Sequence, residues 1–398
     1  MKRFINYSKD ILPMKRRYGM SLILTLLFLA ITTGSYAKEA DLHNSNARLF
    51  NVGLKVVDFE YKRENRSPEI VTTAIWYPTE AKPKKFKFKS GIVMRKSKVA
   101  RDADIANTGK AYPLIIFSHG GFGSSFDTAY FMEHLAKHGY IVVAPEYPDR
   151  GPPDYKERLS YARAGKGQVF RVRKLKKAIK AFAHEMRDRR DFYLLYLWEN
   201  RFSHTSFIID KMQELNHDNG SIFHGMIDEN AIGACGHSQG GLTTLGKTGG
   251  HPYAKFKDDR IKASLLFASS VYPLEATLKN ISVPTMLMAG EHDDKPEVFP
   301  ELSRRTIYDK VKPPKYYLVL KGANHLTFLN IRSGKLRIRR KQKHFNTINR
   351  YGVLFFDRFV RKDLSVNNQL LKGDKNLCYY VMEEKEDEPV VIVPECPK

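Results

Sequence analysis

The chain has 398 residues, of which 42% are hydrophobic, so it can bury a large core, and a chain too polar to fold is excluded. The formal net charge of +24 indicates acidic partners such as lipid headgroups, nucleic acid or anionic polymers, although a basic surface that only keeps the protein soluble fits equally well. The sequence contains no aromatic–basic module typical of nucleic-acid binding and no Cys/His spacing typical of a metal site.

The first 37 residues follow the order of a secretory signal peptide. The basic segment Met1–Gly19 precedes the apolar run Ser21–Thr33, and Ser35 and Ala37 supply small residues for a cleavage site. The apolar run is shorter than the roughly 20 residues of a membrane span, so an uncleaved anchor is the less favoured alternative. We therefore expect cleavage near Ala37 and an exported protein, periplasmic or secreted.

Strand-like and helical patterns alternate from Leu49 onward. Asn51–Phe59 and Val71–Tyr77 are predicted to open the fold as an antiparallel pair, and Lys82–Lys110 is predicted to be a basic surface excursion. Buried strands are then predicted at 112–117, 140–144, 231–234, 263–267, 284–288 and 316–320, with helices at 130–138 and 206–215. Apolar strands separated by helices indicate an α/β fold with a mostly parallel central sheet and helices on both faces.

A long interval separates the fourth predicted strand from the strand at 231–234. This segment, 145–205, is predicted to be a basic helical insertion, because apolar residues recur in it at helical spacing and many lysines and arginines lie between them. The apolar residues, three or four positions apart, are Val172, Leu175, Ile179, Phe182 and Met186. The apolar stripe is interpreted as core, with a lid or a lipid-facing surface as the alternative.

The stretch "AIGACGHSQGGLTT" places Ser238 between a buried strand and a helix. A G-x-S-x-G pattern in this setting predicts a nucleophile elbow, in which glycines let the turn close and leave the hydroxyl exposed. Ser238 is therefore the candidate nucleophile. A glycine-rich connector is the plain alternative.

A serine nucleophile needs a histidine base and an acid that orients it, and on such a sheet both follow the serine, the acid first. Asp293 follows the strand 284–288 and His325 follows the strand 316–320. The chain order Ser238, Asp293, His325 is the required one, so Asp293 is the candidate acid and His325 the candidate base.

Other titratable residues are less favoured for these roles. Asp294 and Glu291 share the loop of the candidate acid and remain alternatives to it, whereas His292 lies too early in the chain to be the base. Asp258 and Asp259 precede a strand, so they belong at the opposite end of the sheet.

The oxyanion of a tetrahedral intermediate needs preorganised N–H donors. The backbone of Gln239, directly after the serine, is one candidate, and Gly121 in "SHGGFG" is the other, with Phe122 as a neighbouring choice. His119 is interpreted as a structural histidine of this loop. This chemistry needs no metal or organic cofactor.

Together these residues resemble the α/β-hydrolase family that contains platelet-activating-factor acetylhydrolase (the plasma and type II forms) and bacterial dienelactone-hydrolase-like serine esterases. The similar stretches run in order from about Asn51 to Val360 and include "TTAIWYPT", "YPLIIFSHGGFGSS", "GYIVVAPEYP", "RIKASLLFAS", "VPTMLMAGEHD" and "LKGANHLTF". The resemblance implies an α/β-hydrolase fold and carries the family's roles to the same candidate residues. True dienelactone hydrolases use cysteine, so the serine favours the esterase branch.

The resemblance implies an exported serine carboxylester hydrolase acting on short-acyl or oxidised phospholipids or on small esters, with a peripheral contact to an anionic membrane surface. His204 replaces an aspartate frequent in related sequences, and the segment 162–190 is unusually basic, so the substrate stays open. A peptidase or thioesterase using the same three residues is one alternative. A non-catalytic protein that binds lipid or nucleic acid on a hydrolase scaffold is another.

The predicted domains are the signal peptide, 1–37, the hydrolase domain, 38–371, and a C-terminal extension, 372–398. Cys378 and Cys396 flank a short segment of this extension and could pair, which would contribute about 3 kcal/mol. Cys235 lies in an apolar run beside the elbow, where a buried, inert thiol is expected.

Overall fold

The computed structural model describes residues 48–64, 67–90, 93–121, 123–147, 201–293, 304–330 and 335–394. These residues all belong to one compact unit, Arg48–Lys398. The predicted signal peptide, Phe122 and most of the predicted insertion lie outside the described residues. Among the residues described, no helix is both long and apolar enough to cross a membrane.

Twelve strands of the described chain form a mixed sheet. In chain order they are β1 (Asn51–Tyr61), β2 (Glu69–Thr79), β3 (Lys84–Ser90), β4 (Val93–Arg101), β5 (Tyr112–Ser118), β6 (Ile141–Pro145), β7 (Ile227–His237), β8 (Ile261–Phe267), β9 (Thr285–Gly290), β10 (Lys315–Leu320), β11 (Leu377–Glu383) and β12 (Pro389–Val393). Their spatial order is β12-β11-β10-β9-β8-β7-β5-β6-β2-β1-β4-β3. The six neighbours from β10 to β6 are parallel, and antiparallel strands flank them on both sides.

Helices cover both faces of this sheet. They are α1 (Ala129–Lys137), α2 (Ser203–His217), α3 (Gln239–Leu245), α4 (Arg305–Lys310), α5 (Lys335–Phe359) and α6 (Asn367–Leu370). Ile115 and Phe117 share one core cluster with residues of α1 and α5, whereas Leu114 and Ile116 share another with residues of α2. Successive side chains of β5 thus enter opposite layers, as the period of a strand requires. The predicted α/β-hydrolase fold is confirmed.

The segment 82–110 differs from its prediction as a surface excursion, because it contains the antiparallel hairpin β3–β4. Lysines alternate with Phe86 and Phe88 in "KKFKFK", and Phe88 is buried with its ring stacked 4.2 Å from that of Phe126. Arg95 also pairs with Glu133 on α1. The alternation was the strand signal, and the high lysine content hid it.

The C-terminal segment also extends the sheet. β11 pairs antiparallel with β10, and β12 with β11, so residues 377–393 of the predicted extension continue the central sheet. The acidic stretch 383–388 joins these strands. Cys235 is buried and free, Cys378 is disulfide-bonded, and Cys396 lies outside the described residues, so its pairing with Cys378 stays a prediction.

Candidate active site

Ser238 occupies a sharp turn between β7 and α3. Its φ of 56° and ψ of −118° put a non-glycine residue in a costly region of backbone space, as is common where a functional side chain must be exposed. A Cβ on Gly236 would lie 2.2 Å from the carbonyl oxygen of Gly240, and a Cβ on Gly240 would lie 1.9 Å from that of Ser118. Both glycines of the motif are therefore required by close backbone contacts.

His325 lies within hydrogen-bond distance of this serine. Its Nε2 is 3.0 Å from Ser238 Oγ. The residue begins a short 3₁₀ turn after β10, and the preceding Asn324 caps this turn by accepting from the N–H of Leu326 at 3.0 Å. Thr327 Oγ1 in turn accepts from the N–H of Asn324 at 2.9 Å. This capping box fixes the backbone that presents the imidazole.

Asp293 completes the group from the turn after β9. Its Oδ1 is 3.0 Å from His325 Nδ1, and its side chain is 2% exposed. We call Ser238, His325 and Asp293 the Ser238 group. A buried carboxylate in this position holds the imidazole so that Nε2 faces the hydroxyl and can accept its proton.

The competing candidates lie elsewhere. Glu291 accepts from the N–H of Gly322 at 2.6 Å and so serves the neighbouring turn, while His292 is exposed. Asp258 belongs to another group of charges around Arg260. Asp294 lies outside the described residues.

Arg304, which no sequence pattern indicated, holds the acid in place. Its Nη1 donates to the carbonyl oxygen of Asp293 at 2.9 Å, and its Nη2 lies 3.0 Å from Asp293 Oδ1 and 3.4 Å from His325 Nδ1. The same carboxylate oxygen therefore receives the guanidinium and the imidazole. Arg304 follows the acid by eleven positions in no recognisable motif, so only the folded structure reveals it.

His237 contacts the backbone of His325. Its Nε2 donates to the carbonyl oxygen of His325 at 3.0 Å. Complete burial lowers the pKa of His237 well below its ordinary value, and the nearby His325 and Arg304 lower it further. The ring is therefore neutral, so it positions the base without adding a charge beside it.

Two backbone N–H groups lie next to the nucleophile. Neither the N–H of Gly121 nor that of Gln239 donates to another described residue. A Cβ on Gly120 would lie 3.5 Å from Ser238 Cβ, and one on Gly121 would lie 2.5 Å from Gln239 Oε1, so the loop after β5 packs directly on the elbow. This arrangement suits the binding of a developing oxyanion.

His119 shapes that loop. Its Nε2 accepts from the N–H of Tyr147 at 3.1 Å, so Nδ1 carries the proton and donates to the carbonyl oxygen of Gly120 at 2.8 Å. Tyr147 is buried behind the loop, with its hydroxyl 2.8 Å from Ser118 Oγ. The described residues contain no cluster of His, Cys, Asp and Glu that could hold a metal ion.

Comparison with protein families gives two matches that follow each other along the chain. Residues 79–176 match the family model of platelet-activating factor acetylhydrolase, isoform II, and residues 197–389 match that of the PET hydrolase-like proteins. A search of curated proteins returns no match. Both families are α/β-hydrolase families of serine esterases, and the two matched regions contain Ser238, Asp293, His325, Gly121 and Gln239.

Proposed function

We propose that this chain, which matches the models of two α/β-hydrolase families of serine esterases, is a carboxylester hydrolase whose nucleophile, base and acid are Ser238, His325 and Asp293. The observation that carries this proposal is the continuous hydrogen-bonded path of the Ser238 group, with 3.0 Å at each of its two steps. A path of this kind, beginning at the half-buried Ser238 of the elbow, supports acyl transfer more than passive binding.

In the proposed mechanism, His325 Nε2 takes the proton of Ser238 as Oγ attacks the ester carbonyl. The N–H groups of Gly121 and Gln239 bind the oxyanion of the tetrahedral intermediate. His325 then gives the proton to the leaving alcohol, and an acyl-enzyme remains. Water, deprotonated by His325, attacks the acyl-enzyme, and His325 returns this proton to Ser238 Oγ as the acid leaves, while Asp293 stabilises the imidazolium in both steps.

The proposed substrates are phospholipids with a short or oxidised acyl chain, or small soluble esters. The match to platelet-activating factor acetylhydrolase over the oxyanion loop supports this class. Hydrolysis of a polyester is the second candidate, supported by the longer match to the PET hydrolase-like family. A peptidase or thioesterase with the same three residues stays a weaker alternative.

The proposed place of action is outside the cytoplasm, beside an anionic membrane surface. The signal-peptide pattern expected at residues 1–37 supports export, and the excess of Lys and Arg over Asp and Glu in the rest of the chain supports attraction to acidic lipids. If the exported protein does not bind vesicles of anionic phospholipid at low salt, only the membrane part of this proposal is wrong.

A fluorophosphonate probe tests the proposal even while the substrate is unidentified, because it reacts with activated serines in general. The mature protein should be labelled on Ser238, and Ser238→Ala should not be labelled. A series of esters with acyl chains of two to twelve carbons, a short-acyl phospholipid and a polyester film then separates the substrate classes. If the folded wild type neither reacts with the probe nor turns over any ester, the enzyme proposal is wrong.

A further inference from the structure

Arg201 is completely buried behind the loop that follows β5. Its Nη1 donates to the carbonyl oxygen of His119 at 2.7 Å and its Nη2 to that of Gly120 at 3.3 Å. The guanidinium also lies over the ring of Tyr147, 4.5 Å from its centroid. Removing a guanidinium from water is costly even when its donors are satisfied, so this placement points to a role beyond filling space.

The contact with Gly120 controls the amide of the next residue. The carbonyl of Gly120 and the N–H of Gly121 belong to one planar trans peptide group, so they point in opposite directions. That carbonyl accepts from Arg201 Nη2, from His119 Nδ1 at 2.8 Å and from the N–H of Gly123 at 3.0 Å. Glycine peptides rotate easily when unconstrained, and these donors hold this one with its N–H facing away from Arg201.

The nucleophile elbow packs against this same peptide group. The position of a Cβ on Gly120 lies 3.5 Å from Ser238 Cβ, and that on Gly121 lies against the side chain of Gln239. We propose that Arg201 is a positioning residue for the oxyanion hole, which aims the Gly121 N–H at the oxygen that becomes charged. This inference rests on the proposed esterase function.

Arginine suits this role better than lysine would. Its planar fork reaches two successive carbonyl oxygens at once, whereas an ammonium is a single point of charge. A cation bound to a carbonyl also polarises the peptide group, which makes the N–H on its other end a stronger donor. Donors that are fixed before the reaction cost no reorganisation when the oxyanion forms.

The test uses the full-length mature protein with Arg201→Met and Arg201→Lys, and Arg260→Met as a matched control. Unlike Arg201, Arg260 is only partly buried, and it binds Asp258 and Asp210 away from the Ser238 group. The readouts are the rate of Ser238 labelling by a fluorophosphonate across pH, kcat and KM for a short ester, affinity for a boronic acid that forms a tetrahedral adduct, and the melting temperature.

We expect Arg201→Met to lower the labelling rate and kcat by about 50-fold, since loss of one oxyanion donor typically costs 10²–10³-fold and here the donor is misaimed rather than removed. Arg201→Lys should lose about 5-fold. KM and the pH midpoint of labelling should stay within about 2-fold and 0.3 units of wild type, because the Ser238 group is untouched. Boronate affinity should fall in parallel with kcat.

Arg260→Met should lower the melting temperature without changing the labelling rate of the folded fraction. If the folded Arg201 variants react at the wild-type rate, or if KM rises while kcat holds, the inference is overturned. If Arg201→Met does not fold, Arg201→Lys alone tests the inference, by whether its labelling rate and kcat fall below those of wild type. Failure of the wild type to react at all would instead overturn the proposed function.

Discussion

Two groups in the molecule each combine a serine hydroxyl, a basic side chain and an aspartate, joined in a different order. The Ser238 group lies where β7, β9 and β10 end. At the other end of the parallel sheet, before β8 begins, Lys247 Nζ donates to Ser206 Oγ at 2.6 Å, and Ser206 Oγ donates to Asp258 Oδ2 at 2.6 Å. We call Ser206, Lys247 and Asp258 the Ser206 group.

The two groups differ in what the serine oxygen can still do. Ser206 gives its proton to a carboxylate and accepts from an ammonium, so its oxygen is already engaged on both sides. Burial lowers the pKa of Lys247 to about 8, with Asp258 opposing the shift, so Lys247 is mostly protonated at pH 7 and donates to Ser206. Ser238 instead faces a histidine whose other nitrogen is bound to the acid. Residue types alone therefore do not make a nucleophile.

The largest predicted effect separates the two serines. Ser238→Ala should lower ester turnover by about 10⁴-fold or more, because removal of the nucleophile leaves only binding and the oxyanion donors. Ser206→Ala should keep kcat within about 3-fold. Parallel assays of both variants, scaled to the folded fraction, make the comparison. A comparable loss in Ser206→Ala would show that the Ser206 group takes part in the chemistry.

Asp258, the acid of the Ser206 group, should affect the free energy of unfolding and not kcat. Burial alone would raise the pKa of Asp258, but hydrogen bonds from Arg260 and Ser206, together with the charges of Arg260 and Lys247, lower it to about 2. Asp258→Asn should cost about 3 kcal/mol of unfolding free energy, since it leaves buried cations without their anion.

Urea unfolding at pH 7 measures that cost, and kcat of Asp258→Asn should match wild type. The contribution should also be lost in wild type as the pH falls from about 4 toward 2, because the unfolded carboxylate takes up a proton before the folded one does. Unchanged stability in the variant would mean that the charges of this group do not hold the fold.

Removal of the Arg304 side chain should lower the catalytic activity of the Ser238 group without abolishing that activity. Arg304→Met should lower kcat by about 20-fold, because Asp293 loses its contacts at both the carbonyl and the carboxylate, and small displacements of a catalytic group are costly. Arg304→Lys should recover part of the loss. Arg305→Met, next to it on the surface of α4, is the matched control and should leave kcat unchanged; an equal loss there would point to a general effect on this segment.

The smallest effect concerns a histidine near the Ser206 group. Burial lowers the pKa of His251 to about 4, whereas an unfolded histidine binds a proton near pH 6.5. The unfolded state thus holds more protons below pH 6.5, and stability falls as the pH drops. The stability of wild type relative to His251→Asn should decrease by about 1.3 kcal/mol between pH 7.5 and pH 5.5.

Chemical unfolding at both pH values measures this difference, and a substitution of the exposed His224, His224→Asn, is the matched control. A pH-independent difference for His251→Asn would mean that the ring accepts its proton inside the fold.

The sequence predicts most of the Ser238 group because its members follow three strands that each contain a run of apolar, buried residues. A glycine pattern marks Ser238, and strand ends mark Asp293 and His325. The supporting arginines carry no such signal, since Arg201 reaches its carbonyls from more than eighty residues away and Arg304 lies in no motif. Their roles depend on long-range contacts that spacing along the chain does not encode.

The many charged residues of two segments also concealed strands of the sheet. In β3 the alternation of phenylalanine and lysine spans only a few residues, and the surrounding lysines resemble a solvated loop. The strands β11 and β12 flank an acidic stretch near the end of the chain, which by composition resembles a frayed terminus. In both cases the pairing partner, not the segment itself, makes the strand.

The hairpin β3–β4 leaves one margin of the sheet crowded with like charge. Lys85 lies opposite Lys98, and Lys87 opposite Lys96, so a second strand approaching this margin meets a row of ammonium groups. The opposite margin, β12, begins with Pro389 but exposes Val390 and Val391 by 50% and 57%. Within the described chain, the two edge strands of the sheet thus differ in charge. We expect β3 to repel a neighbouring copy, and we expect self-association in concentrated solution to begin at β12.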